Sequence, residues 1–221
     1  MARRRDLSRH HAMRLRGFRR AASETPRRGT PADLLVVGLG NPGEEFAATR
    51  HNVGADAVAE LAARHGGRLR PEKGQQAAVA EVRLGEARVA VAVPSTYMNE
   101  SGSAVRSLVR RFGITDLDHL VIVHDELDLA PGRVRVKIGG GLAGHNGLRS
   151  IQSHLRSADF VRVRIGIGKP PSAAAGADYV LNRPGRRDRQ ALTEAVGLAA
   201  DAVELIAAEG ADAAMNRFNG S

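Results

Sequence analysis

Histidine is the side chain whose ordinary titration range lets it take a proton near neutrality, and it serves as a base when a partner fixes its ring and stabilises the imidazolium. Of the eight histidines in the chain, His51 has the setting for this. It follows a glycine-lined turn at the end of the apolar run Leu34-Leu35-Val36-Val37-Gly38-Leu39-Gly40. A candidate partner, Asp125 of His124-Asp125-Glu126-Leu127-Asp128, follows a second apolar run, Leu120-Val121-Ile122-Val123. Open α/β sheets bind ligands beyond the carboxyl ends of their strands, so both groups are expected on one edge. An acid at such a strand end sits in a low dielectric, which strengthens its pairing with an imidazole. The chain has no cysteine, and no serine stands in a G-x-S-x-G elbow. Water is therefore the expected nucleophile, with His51 as its activator. Taken singly, His51 also reads as a helix-capping or surface residue, and Asp125 or Asp128 as a turn acid. A metal reading of His124, Asp125 and Asp128 is disfavoured because adjacent strand residues point to opposite faces. No metal is expected.

Three further segments could hold a ligand. Gly38-Leu39-Gly40-Asn41-Pro42-Gly43 satisfies the dinucleotide pattern G-x-G-x-x-G after a strand,. Pro42, however, removes a backbone N–H that a pyrophosphate would use. The polar stretch 44–52 delays the next helix, and no strand ending in an acid follows about 20 residues on. No cofactor is expected. Lys137 to Gly147 includes Gly139-Gly140-Gly141 and opens a helix. It reads either as a phosphate- or substrate-holding loop or as a mobile surface loop. Pro94-Ser95-Thr96-Tyr97-Met98-Asn99-Glu100-Ser101-Gly102 links a strand to a helix, with Asn99 a candidate N-cap.

The elements that must position these groups follow from periodicity. Continuous apolar runs at 34–40 and 120–123 are buried strands. Helical spacing of Val53, Ala57, Val58, Leu61 and Ala62 predicts a helix over 53–65, stopped by Gly66-Gly67. Strands are expected at 77–82 and 88–93, a helix over about 100–112, a half-exposed strand at 134–138, a short helix at 146–154 and a strand at 161–167. An Ala-rich helix spans about 187–209. Alternation of strands and helices predicts one α/β domain with three layers, α/β/α, on a twisted, mixed, largely parallel sheet.

The charge is unevenly placed. Residues 1–32 hold ten arginines and two acids, whereas 33–221 hold 23 basic and 22 acidic residues, so a net charge of +9 becomes +1 once the first 32 are set aside. A nucleic-acid contact by the body must come from a local patch. The excess of 30 Arg over 3 Lys reads as codon bias. Residues 1–32 read as a disordered Arg-rich extension with no signal-peptide core, and 33–221 as the folded domain. The extension is open to three readings: an RNA-contacting arm, a targeting segment, or a start codon placed too far upstream. No apolar run approaches the length that spans a bilayer.

Together, Gly38 to Gly43, Thr49-Arg50-His51-Asn52-Val53-Gly54, Tyr97 to Gly102, His124 to Asp128, Gly144-His145-Asn146-Gly147 and Arg164-Ile165-Gly166-Ile167-Gly168 resemble the bacterial peptidyl-tRNA hydrolase family, over about residues 34–218. The resemblance implies hydrolysis of the ester joining a peptide to the 3′ ribose of tRNA, so that tRNA from aborted translation is recycled. It implies His51 as the base, Asp125 as the group that holds and polarises it, and Asn41 as the discriminator between blocked and unblocked aminoacyl-tRNA. Asn99 and Asn146 match amides that bind the peptide and the 3′ end. Phe46 and Tyr97 match aromatic positions suited to stacking on the terminal adenine. Lys137 and Arg164 are candidate phosphate contacts, against the alternative of a solvated strand face. A cytoplasmic monomer with peptidyl-tRNA as its partner, no membrane association and no cofactor is the expectation. Three departures stand out: Phe46 where tyrosine is usual, Leu142-Ala143 where glycine is frequent, and the extension 1–32, which has no counterpart. Ala143 lacks glycine's freedom at positive φ. Two other classes compete. A binding-only relative of the kind used in plant organelle intron splicing would not need the base, and a nucleotide-cofactor enzyme would need the turn that Pro42 breaks.

Overall fold

The computed structural model describes residues 31–220, and the Arg-rich residues 1–30 lie outside it. Its elements are β1 (Leu34–Gly38), α1 (Val53–Arg64), β2 (Arg70–Glu72), β3 (Ala77–Leu84), β4 (Ala87–Pro94), α2 (Ser101–Arg111), β5 (Leu120–Glu126), β6 (Val134–Ile138), α3 (Asn146–Leu155), β7 (Val161–Gly166), α4 (Gly176–Leu181), α5 (Arg186–Glu209) and α6 (Ala211–Asn219). Seven strands form one sheet in the order β2-β3-β4-β1-β5-β7-β6. The central four, β4-β1-β5-β7, run parallel. The pairings β2-β3, β3-β4 and β6-β7 are antiparallel, so the expected parallel character belongs to the centre of a mixed sheet.

Helices cover both faces, which is why the central strands are apolar on both sides. Val36, Val91, Val121 and Val163 meet Val58, Leu61, Ala199 and Val203 of α1 and α5. On the other face Leu35, Val37 and Ile122 meet Leu108, Leu148 and Ile151 of α2 and α3. Each such branched side chain, fully removed from water, contributes about 1.5–3 kcal/mol. Alternation along β1 thus divides one run of hydrophobic residues between two cores.

The order of strands also fixes where a ligand goes. From β1 the chain moves to one side, through α1 and β2–β4, and then crosses by α2 to β5 on the other side of β1. The carboxyl ends of β1 and β5 therefore flank a switch point, the usual crevice of an open α/β sheet. α1 is drawn tightly onto that point. A Cβ on Gly38 would lie 2.2 Å from the Gly54 carbonyl oxygen, and one on Gly54 would lie 2.3 Å from that of Val123. Only glycine permits this approach. Leu39 N–H donates to Val123 O at 2.9 Å and Ala55 N–H to Leu39 O at 3.0 Å, clamping the helix start to both strands.

Candidate active site

His51 lies in a 3₁₀ turn at Arg50–Asn52, all three residues buried, directly before α1. The clamp at Gly54 thus sets its position. Its neighbours are pinned as well: the Arg50 guanidinium pairs with Asp188 at 3.3 Å and stacks over the Tyr179 ring at 4.3 Å. Asp125 is the sixth residue of β5, and it is 3% exposed. The expected juxtaposition is present: His51 Nδ1 lies 2.8 Å from Asp125 Oδ1. A carboxylate only accepts, so Nδ1 carries the proton and Nε2 is left with a free lone pair. Burial pushes the Asp125 carboxyl up, but the attraction of His145 and His51 and their hydrogen bonds outweigh it and hold the group well below the usual carboxylate range.

His145 is the residue that sequence reasoning did not single out. Its Nε2 lies 2.9 Å from the same Asp125 Oδ1. Its Nδ1 accepts from Gly147 N–H at 3.1 Å and Leu148 N–H at 3.4 Å, making it the N-cap of α3. Histidine is not among the usual capping residues, which is why the sequence hid it. His124 completes the group. Its Nδ1–H donates to the Asp125 carbonyl oxygen at 2.7 Å, and its ring meets that of His145 edge-on at 5.0 Å. Burial pushes the His124 imidazole down to about 3.

His51, Asp125 and His145 bring one donor atom each within 4.8 Å of one another, the outline of a metal cluster. The hydrogen bonds argue against that use. A metal on His145 Nε2 would move the proton to Nδ1, where it would face two backbone N–H donors. The dinucleotide reading meets a similar obstacle, because the Asn41 N–H in the glycine turn is taken by Asn52 Oδ1 at 2.9 Å.

Asn41 is held from three directions. Asn52 Nδ2 donates to its carbonyl oxygen at 2.9 Å, and its own Oδ1 accepts from Met98 N–H at 2.8 Å. The amide is thereby oriented with Nδ2 free to donate. Asn52, a positioning neighbour not foreseen from sequence, gives up the capping role its place before α1 suggests. Asn99 is exposed in the 3₁₀ turn Met98–Glu100. It does not cap α2: Glu100 occupies that position and makes no side-chain cap bond. Asn146 is the exposed first residue of α3. The next residue, Gly147, packs so closely that a Cβ there would sit 2.6 Å from Met98 Sδ, which brings the turn bearing Asn99 against the start of α3. Phe46 and Tyr97 meet edge to face at 6.3 Å, and Tyr97 is 54% exposed.

A cavity of about 240 Å³ opens beside this group, lined by His51, Asp125, Gly144, Asn146, Ala177 and Val180 among others. The candidate phosphate contacts lie on one face of β6 and β7, with Lys137 opposite Arg162 and Arg164 opposite Arg135; Glu126, the partner of Arg164, also lines the cavity. Arg164 is already ion-paired, 3.0 Å from buried Glu126. The Lys137 ammonium lies over Gly140, where a Cβ would be 2.8 Å from it.

A buried imidazole–carboxylate pair at the switch point of an α/β sheet, its distal ring nitrogen free beside a cavity, defines a hydrolase-type site. The comparisons with known proteins narrow the class. Residues 35–221 match the family model described as peptidyl-tRNA hydrolase. The peptidyl-tRNA hydrolase of Cutibacterium acnes is 53% identical over 195 residues, covering 84% of this chain and 97% of that protein. That of Rhodococcus erythropolis is 48% identical over 185 residues, covering 84% and 97%. The crystal structure of the Acinetobacter baumannii peptidyl-tRNA hydrolase superposes with a TM-score of 0.80 at 37% identity, covering 86% of this chain and 96% of that one. The chain belongs to the peptidyl-tRNA hydrolase family and is a hydrolase.

Proposed function

We propose that residues 33–221 form a catalytic domain that cleaves the ester between a peptide, or an N-blocked amino acid, and the 3′ ribose of tRNA, with His51 as general base toward water. The observation that carries this reading is the 2.8 Å bond from His51 Nδ1 to Asp125. It spends the δ proton on the carboxylate and leaves Nε2 as the basic atom at the cavity. A water there loses its proton to Nε2 as its oxygen adds to the ester carbonyl. The imidazolium so formed is stabilised by Asp125, and it returns the proton to the departing ribose oxygen. In this reading the free Nδ2 of Asn41 donates to the carbonyl of a blocked amino acid. An unblocked α-ammonium offers that amide no acceptor. Asn99 and Asn146 bind the peptide and the 3′ end, and Phe46 and Tyr97 flank the terminal adenine. Lys137 and Arg164 contact backbone phosphate, Arg164 doing so while still held by Glu126. The enzyme works as a cytoplasmic monomer on peptidyl-tRNA without a cofactor. Among the described residues no helix is long and apolar enough to cross a membrane.

The test uses the full chain with N-blocked aminoacyl-tRNA and, separately, free aminoacyl-tRNA, without added metal. Wild type is expected to release the blocked amino acid and spare the unblocked one, and His51→Ala to lose at least about 100-fold in kcat. Failure of the wild type to cleave the blocked substrate, or full activity in His51→Ala, refutes the assignment. A binding-only relative would show affinity for tRNA and no turnover.

A further inference from the structure

We propose that His145 is a positioning residue for the His51–Asp125 pair, locked as its Nε2–H tautomer by the first turn of α3 and held in place by the glycine-rich loop 139–145. The inference rests on the reading of His51 as base.

The lock follows from counting protons. Asp125 Oδ1 lies 2.8 Å from His51 Nδ1 and 2.9 Å from His145 Nε2, and an ionised carboxylate can only accept from each,. On the far side of the His145 ring, two backbone N–H groups point at Nδ1. Those N–H groups are fixed donors, so Nδ1 must present its lone pair, and the one ring proton must sit on Nε2. The ring thus turns the free N–H groups of a helix start into a donor directed at a catalytic carboxylate. Asp125 then receives two N–H bonds on one oxygen. That arrangement favours its anion and orients the lobe to which His51 donates.

The loop is built to keep the ring there. Arg162 of β7 is 1% exposed, and its guanidinium donates to the carbonyl oxygens of Gly139 and of Gly141, the latter at 3.0 Å. Leu142 packs against the core beneath α2 and α3. Ala143 takes φ +50°, a left-handed conformation an alanine rarely adopts,. Leu142 O accepts from His145 N–H at 3.0 Å, closing the turn. The buried Arg162 beneath it ties the loop to β7. Backbone strain that persists at a site is held by its surroundings.

Two substitutions separate the two ends of the ring. His145→Asn keeps an acceptor near Nδ1 for the helix cap and loses the reach to Asp125. His145→Gln keeps a donor at the reach of Nε2 and weakens the cap. If His145 positions Asp125, His145→Asn keeps the α3 cap but loses about ten-fold in kcat with KM unchanged, the scale of one hydrogen bond to a charged group. His145→Gln then regains most of that kcat while melting earlier. The reverse pattern, with Asn active and Gln not, makes His145 a cap only and overturns the proposal. A second readout does not use activity: ¹⁵N spectra of the imidazoles should show His145 as the pure Nε2–H tautomer across neutral pH. A proton on Nδ1 overturns the proposal. The outcome of this measurement stands apart from the His51→Ala assay, so failure of the base assignment and failure of the lock can be told apart.

Discussion

His124 offers a prediction whose size can be worked from the structure. It is 1% exposed, its Nδ1–H is committed to the Asp125 carbonyl, and its Nε2 is buried with no hydrogen-bond partner among the described residues. Burial lowers its value from 6.5 to about 3. In the unfolded chain the ring binds a proton below about pH 6.5, whereas in the folded protein it stays neutral until about pH 3. Unfolding between those limits takes up one proton, so this contribution is complete above pH 6.5 and is lost as pH falls toward 3. The slope is about 1.4 kcal/mol per pH unit, so by pH 5 the loss is about 2 kcal/mol. Asp125, depressed in the fold, adds its own loss only below the ordinary carboxylate range, so pH 5 isolates the histidine. The comparison is with His124→Asn, whose amide can still donate to the Asp125 carbonyl but cannot titrate. Smaller than imidazole, it costs about 1–3 kcal/mol at every pH through lost packing. Urea unfolding followed by far-UV circular dichroism is the assay, since the chain has no tryptophan. Between pH 6 and 4.5 the wild type should lose stability more steeply than the variant by one proton's worth. Parallel slopes would show that His124 titrates alike in both states and refute the reasoning.

Two further predictions concern the backbone that carries the site. Gly54→Ala places a Cβ 2.3 Å from the Val123 carbonyl and 2.9 Å from that of Leu39. The obstacle is backbone on two strands, so α1 must lift off, at a cost of about 3 kcal/mol or more in urea denaturation and with kcat falling because His51 moves with it. Wild-type stability in this variant would mean that the clamp is not as tight as described. Ala143→Gly removes a left-handed alanine and should stabilise the fold by about 0.5–1 kcal/mol, with kcat unchanged if the loop stays docked. A loss of stability would show that Ala143 makes contacts that outweigh its conformation.

How much of this was legible in the sequence depends on what kind of signal each element leaves. The central strands and long helices were readable because burial on both faces or on one stripe imposes a period. β6 falls at the expected 134–138, and α1 and α5 end within one residue of expectation. Three elements left no such mark. β2 is a three-residue edge strand, Arg70–Glu72, with exposed or half-buried side chains. α4 has no buried residue, and α6 buries only Ala214. The pairing of His51 with Asp125, 74 residues apart, was accessible through the rule that strand carboxyl ends converge. The part played by His145 was not. A histidine beside an asparagine at a helix start is indistinguishable, as sequence, from a loop residue. Its meaning depends on which ring nitrogen meets the helix and which meets the acid.

The same geometry bears on how the proposed base is held. A histidine pulled toward a buried carboxylate gains a partner but also risks becoming a permanently charged ion pair, with no lone pair left to offer water. Here the anionic Asp125 oxygen is shared between two imidazole N–H groups, so each ring receives only part of its attraction. One of the two is excluded from protonation at Nδ1 by backbone donors that cannot rotate away. In the proposed reading the carboxylate's second partner, and not the carboxylate alone, fixes the oxygen to which His51 donates, and the glycine-rich loop contributes to the site because it delivers that partner.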